Sequence, residues 1–361
     1  MIPKHKYLTL DAIRGVAAIF VSFLHLPSEY LLGIEFPHAY LAVDLFFSMS
    51  GFVLASAYDK DLLSGKLTAN QFLKLRIIRV YPLYFVALLL WAALMIYDLV
   101  FVGRMSISLP ILAAQIIFGL LFLPSPFPAT FLFPLNGPAW SLFFELVINY
   151  FYGRFRAVQT IQKLWIIIFA SGIALVFFTL LKGELSFGFT WHGAIGGLAR
   201  VFYSFSAGLL IHHYRKIINR DIVSSNFASL IVLLLVGILL GMPSTKFHSY
   251  YDITIVIIIF PLVILTASFI QPKQALGVTF SKLGVASYGF YVLQYAFIWL
   301  YGNLFRNSIE NLGFPPVTNL IFLLSLLFIS SLILDRVFDE PSRRWIRGKI
   351  FGYSQIAIGR V

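Results

Sequence analysis

The sequence predicts an all-α, polytopic membrane helical bundle of about ten transmembrane helices plus one re-entrant or interfacial segment, both termini cytoplasmic. Three observations carry this expectation. Of 361 residues, 60% are hydrophobic and only 12% are charged, half the charged share of a soluble domain, and the mean hydropathy is +0.88. Long apolar runs recur from Leu10 to Leu334 without the period-two alternation of barrel strands, and only helices or closed barrels satisfy every backbone group in lipid. The net charge of +12 sits in short loops between apolar runs, which is how membrane orientation is specified, so nucleic acid is not expected as a partner. The absence of cysteine excludes disulfides, thiolate catalysis and S-palmitoylation.

Taken in order, the apolar segments fall at 10–27, 39–58, 81–102, 107–123, 139–153, 164–182, 193–213, 227–241, 253–270, 284–303 and 316–336. The first resembles a signal peptide behind Lys4 and Lys6, but Asp11 and Arg14 intrude and no small-residue cleavage site follows, so a retained helix is expected. If every segment crossed, Arg154, Arg156 and Lys163 would lie outside, and Lys273 and Lys282 with them, against the positive-inside bias. The weakest segment is 107–123, which carries Ser108, Pro110, Gln115 and Gly119 and runs into Pro124-Ser-Pro-Phe-Pro128. With that segment not crossing, the outside keeps only Arg104, Lys182, Lys246 and Arg306, and the remaining basic residues, Arg360 included, fall inside, apart from Arg200 within the seventh helix. No repeat, low-complexity tract or linker interrupts the chain, so residues 1–361 read as a single integral membrane domain.

The first helix concentrates the chemistry. Arg14 and His25 are eleven residues apart, which brings them to one helix face about 16 Å apart along the axis. Ionisable groups at membrane depth mark functional sites by default. His25 is expected near the outer end, with Asp44 in the second helix and Glu145 in the fifth at matching depth. A carboxylate that orients an imidazole suits a histidine general base, and a packing cluster is the alternative. Arg76 and Arg79, spaced i,i+3, can clamp phosphates bidentately, which fits an anionic cosubstrate on the cytoplasmic side; a topology signal or lipid headgroup contact is the alternative. Trp140, Ser141 and Glu145 open the fifth helix after Asn136-Gly137-Pro138, so the free N–H donors of that helix end face the outer side. Ser287, Tyr288 and Tyr291 either line the cavity or belt the interface. Arg200 needs an acidic partner or must snorkel. His212-His213 lack a metal-binding pattern, and no metal is expected.

These residues resemble the acyltransferase-3 family of integral membrane O-acyltransferases. The resemblance is carried by Leu10-Asp11-Ala-Ile-Arg14-Gly15 with His25, Val43-Asp44-Leu45-Phe46-Phe47 through Ser50-Gly51-Phe52, and Arg76-x-x-Arg79 with Pro82 and Tyr84. It continues through Trp140-Ser141-Leu142 with Glu145, Ser287-Tyr288 with Tyr291, and Glu340-Pro341. The resemblance implies a stand-alone member, without a fused extracytoplasmic hydrolase-like domain, in the inner membrane. It implies transfer of an acyl group, often acetyl, from cytoplasmic acetyl-CoA or another acyl-CoA to a hydroxyl of exopolysaccharide or O-antigen type, free or lipid-linked. His25 would then be the catalytic histidine, supported by Glu145 or Asp44, and Arg14, Arg76 and Arg79 would serve the donor. Trp140, Ser141, Tyr288 and Tyr291 would face the substrates. Gln294 departs from the family, which often has histidine there. The rival reading is a proton-coupled transporter with His25, Asp44 and Glu145 as a relay. It calls for paired halves with interrupted helices, which the sequence lacks.

Overall fold

The computed structural model describes residues 7–103, 107–127, 130–218, 220–306 and 315–352. Lys4, Lys6, Arg104, Pro128 and Arg360, which bear on the expected orientation, lie outside the described residues. The chain runs through α1 (Leu8–Phe23), α2 (Ala42–Leu63), α3 (Ala69–Tyr97), α4 (Leu109–Leu120), α5 (Ala139–Phe155) and α6 (Ile161–Lys182). It continues through α7 (Ala194–Ile218), α8 (Asn226–Leu240), α9 (His248–Ala267, with a π-helical turn at Ile255–Ile259), α10 (Gln274–Leu304), α11 (Pro316–Leu334) and α12 (Glu340–Phe351). The strands described are one two-residue parallel pair, Val223–Ser224 with Ile270–Gln271. This is an all-α membrane bundle. Seven helical stretches among the described residues are long and apolar enough to cross a membrane. The α4 helix, in the segment expected not to cross, has 12 residues, about 18 Å of rise against about 30 Å of hydrocarbon.

Two close helix pairs organise the centre. The α2 and α7 backbones touch: a Cβ added at Gly51 would lie 2.1 Å from the Phe205 carbonyl oxygen, and one at Gly208 would lie 2.0 Å from that of Ser48. Small residues at such crossings bring backbones together where lipid offers no hydrophobic drive for association. The other pair is α1 and α10, which run side by side in the same direction, with Leu8 beside Gly277, Asp11 beside Gly284, Arg14 on Ser287 and His25 on Tyr295.

Three of the differences in element boundary from the sequence expectation bear on the site, each for a local reason. The α3 helix starts twelve residues before 81, at a Thr68/Gln71 capping box, so Arg76 and Arg79 are inside a helix and not at its entrance. The α10 helix starts at Gln274, so Ser287, Tyr288 and Tyr291 are mid-helix; Ser281 and Lys282 break the apolar run but not the helix, since polar side chains do not stop it as proline does. The stretch after 336 is not a loop. It continues through a π turn at Asp335–Asp339 into α12, where Pro341 sits in the first turn, a position proline tolerates. Arg343 ties the continuation together by bridging Asp335 at 2.9 Å and Asp339 at 3.0 Å.

Candidate active site

Arg14, Arg76 and Arg79 gather as a group. Arg76 Nη2 donates to Glu145 Oε1 at 3.0 Å, and the same carboxylate oxygen accepts from the Ser50 hydroxyl at 2.6 Å. Arg79 is 3.8 Å from Asp339 and lies 5.2 Å over the Tyr288 ring, whose hydroxyl donates to the Val80 carbonyl at 2.5 Å. Arg14 bridges Asp11 at 3.6 Å and donates to the Ser287 hydroxyl at 3.3 Å. Arg14 also interacts electrostatically with Arg79, Glu145 and Arg76. Three guanidinium groups thus meet, each beside one carboxylate, and the Arg76 Nε–H is buried with no hydrogen-bond partner among the described residues.

From that level α10 carries a stripe of hydroxyls along the bundle. Ser287, Tyr288, Tyr291 and Tyr295 follow the spacing of one helix face. Ser141 Oγ lies 2.6 Å from the Tyr291 hydroxyl. One turn further, the Tyr295 hydroxyl is 3.1 Å from His25 Nδ1 and the two rings are 4.7 Å apart. The Asn136-Gly137-Pro138 turn closes on this point. A Cβ at Gly137 would lie 2.7 Å from the Tyr295 hydroxyl, and Asn136 Nδ2 donates to the Val292 carbonyl at 3.3 Å. Gln294 is buried and donates from Nε2 to the Tyr291 carbonyl, so it turns back on its own helix.

The acids expected beside His25 are engaged elsewhere. Asp44 is buried and accepts from Arg200 twice, from Nε at 3.2 Å and from Nη2 at 2.6 Å, with Ser204 at 3.5 Å. Arg200 spends its other donors on the Phe187 and Tyr40 carbonyls and lies 5.3 Å from the Trp140 ring centroid. Arg200 therefore finds the acidic partner that a buried guanidinium requires, and Asp44 is that partner. Glu145 serves Arg76 for an electrostatic reason: a carboxylate at guanidinium depth pairs with a permanent cation in preference to a neutral imidazole. Trp140, expected at the substrate, presents its ring to Arg200 and packs on Phe47 and Phe144. Ser141 and Tyr291 meet each other, and Tyr288 braces Arg79.

Sequence reasoning missed two groups. Tyr295 carried a signal, since it follows Tyr288 and Tyr291 on one helical stripe. The second is a network at the opposite end of the bundle from Arg76: Asp252 accepts from Tyr40 at 2.5 Å and from the Leu185 N–H at 2.9 Å, and is 2.8 Å from His38 Nδ1. The Tyr40 hydroxyl also lies 2.8 Å from His248 Nε2. His38 and Asp252 are 214 positions apart, and only His248 and Asp252, at i,i+4, are local to one another. It joins the α1–α2 connection to α9, and through the Tyr40 carbonyl it borders Arg200.

The family described as an acyltransferase domain, acyltransferase-3, matches residues 7–336. The chain belongs to this family. It is accordingly a multi-pass membrane protein and an O-acyltransferase. The acyltransferase is also similar to "Protein 2 in picA locus" of Rhizobium radiobacter, with 43% identity over 191 residues, 48% of this chain and 95% of that protein. No solved structure matches the acyltransferase significantly.

Proposed function

We propose that the acyltransferase moves an acyl group, acetyl foremost, from cytoplasmic acyl-CoA to a hydroxyl of a cell-envelope or exported carbohydrate at the inner membrane. One observation carries the reading: α1 and α10 together line up an arginine cluster with an unspent donor beside Ser287 and, eight residues or about 12 Å further along α10, an imidazole held by the Tyr295 phenol. The diphosphate of the donor would sit against Arg14, Arg76 and Arg79, and the pantetheine arm would run past Ser141 and Tyr291 toward His25. Glu145 and Asp339 act here as positioning residues that aim Arg76 and Arg79.

With Nδ1–H donating to the Tyr295 oxygen, His25 Nε2 is free to accept the proton of the carbohydrate hydroxyl. The hydroxyl oxygen attacks the thioester carbonyl, the C–S bond breaks, and the proton passes to the departing thiolate of coenzyme A. Tyr295 takes the orienting role expected of an acid and leaves the imidazole neutral, with Nε2 open to a proton. Trp140 contributes by stacking on Arg200, and Tyr288 by holding Arg79.

Substitution and labelling test this arrangement separately. Arg76→Lys keeps the charge and loses the fork to Glu145 and phosphate, so KM for acetyl-CoA should rise about tenfold with a smaller fall in kcat. A wild-type donor titration curve from Arg76→Lys would leave that cluster with no part in donor binding. The orientation is tested by single cysteines in this cysteine-free chain, placed at the exposed positions Thr130 and Ala157. With ten crossings, an impermeant thiol reagent should label position 130 from outside and position 157 only after permeabilisation. The reverse pattern would put the two ends of α5 on the wrong sides for a cytoplasmic donor.

A further inference from the structure

A cavity of about 210 Å³ lies away from the arginine cluster, where the ends of α2, α5 and α7 meet the start of α6. Asp59, Tyr152, Arg156, Thr160, His212 and Lys216 are among its lining residues. The carboxylate in this cavity is already satisfied: Asp59 accepts from the Tyr152 hydroxyl at 2.8 Å, from Arg156 Nη2 at 2.7 Å and from Arg156 Nε. That leaves three sets of donors. The Lys216 ammonium is exposed at the rim. The start of α6 has N–H groups that no preceding turn can satisfy; the Thr160 side chain caps that of Lys163, and those of Ile161 and Gln162 remain. His212 is 6% exposed, yet neither of its ring nitrogens has a hydrogen-bond partner among the described residues.

The histidine decides what the cavity wants. A neutral imidazole carries one N–H and one acceptor nitrogen in either tautomer, so His212 presents a buried donor and a buried acceptor that both lack partners among the described residues, and the donor can serve an anion. A helix N-terminus and an ammonium, converging on the same space, favour a multivalent anion with acceptors in several directions. We propose that this cavity binds a phosphate group, held by His212, Lys216 and the first N–H groups of α6. Two sources share that chemistry: the phosphodiester of an anionic lipid headgroup, and the 3′-phosphate of coenzyme A. The second rests on acyl-CoA being the donor; the first does not.

The experiment uses the purified full chain and two substitutions, Lys216→Glu at the exposed rim and His212→Leu inside. Native mass spectrometry after incubation with dioleoylphosphatidylglycerol, with dioleoylphosphatidylcholine as control, reads the lipid arm. Competition binding of acetyl-CoA against 3′-dephospho-acetyl-CoA reads the coenzyme arm. If the lipid fills the cavity, phosphatidylglycerol retention should exceed that of phosphatidylcholine in the wild type and fall about tenfold in both variants. If the coenzyme fills it, loss of the 3′-phosphate should weaken binding about tenfold in the wild type and make no difference in either variant. Should coenzyme A fail to bind at all, the donor reading falls and the lipid arm alone decides the cavity. Unchanged behaviour of Lys216→Glu, which leaves the fold untouched, in both arms would overturn the proposal.

Discussion

Replacing His25 with alanine should lower acyl transfer by about two to four orders of magnitude, because general base and positioning are lost together. The protein should still insert and fold. His25 comes just after the last turn of α1 and is half-buried, and its hydrogen bond is to a single tyrosine. Tyr295→Phe separates the two contributions: the ring still packs against Trp91 and Gly137, but Nδ1 loses its oxygen partner. About a tenfold fall in kcat, with KM for acetyl-CoA unchanged and the pH profile displaced, is the expected outcome. Matched product levels for His25→Ala and the wild type at equal expression would remove His25 from the chemistry.

The largest effect on stability should come from Asp44→Ala. It leaves the Arg200 guanidinium buried without its anion, and breaking such a pair from one side costs about 3–5 kcal/mol. Arg200 is 1% exposed, so water cannot take the place of the carboxylate. Removing both partners is often neutral where a buried pair stands alone. Here Arg200 also satisfies the Phe187 and Tyr40 carbonyls and lies against Trp140. An Asp44→Leu/Arg200→Met double variant should therefore recover only part of the loss. Thermal unfolding in detergent reads the difference. Full recovery would mean that the two carbonyls find other donors, and an unchanged midpoint in Asp44→Ala would mean that the pair contributes nothing to stability.

Features set by a single helix were legible in the sequence. The eleven-residue spacing of Arg14 and His25 pointed both to one side, and although α1 ends at Phe23 and His25 follows in the turn, both side chains meet α10, Arg14 at Ser287 and His25 at Tyr295. The i,i+3 pair Arg76 and Arg79 likewise shares a face, each with its own acid. Pairings between helices were harder to read, because depth estimates inherit every error in a boundary. With α3 beginning at Ala69 and not at 81, Arg76 lies deep enough to claim Glu145. Asp44 could not be assigned to Arg200 by depth alone, since each residue had several acceptable partners. The Asp252 network had little local signal beyond the i,i+4 pair His248 and Asp252, being assembled from α9 and two connections far apart in the chain.

The most direct measurement is transfer of labelled acetyl from acetyl-CoA supplied on one side only of sealed vesicles that carry the acyltransferase in known orientation, with a carbohydrate acceptor on the other side. The column from Arg76 to His25 predicts that label reaches the acceptor only when acetyl-CoA meets the side bearing residues 154–163, and that His25→Ala vesicles transfer none above background. Equal transfer from either side, or undiminished transfer by His25→Ala, would contradict it.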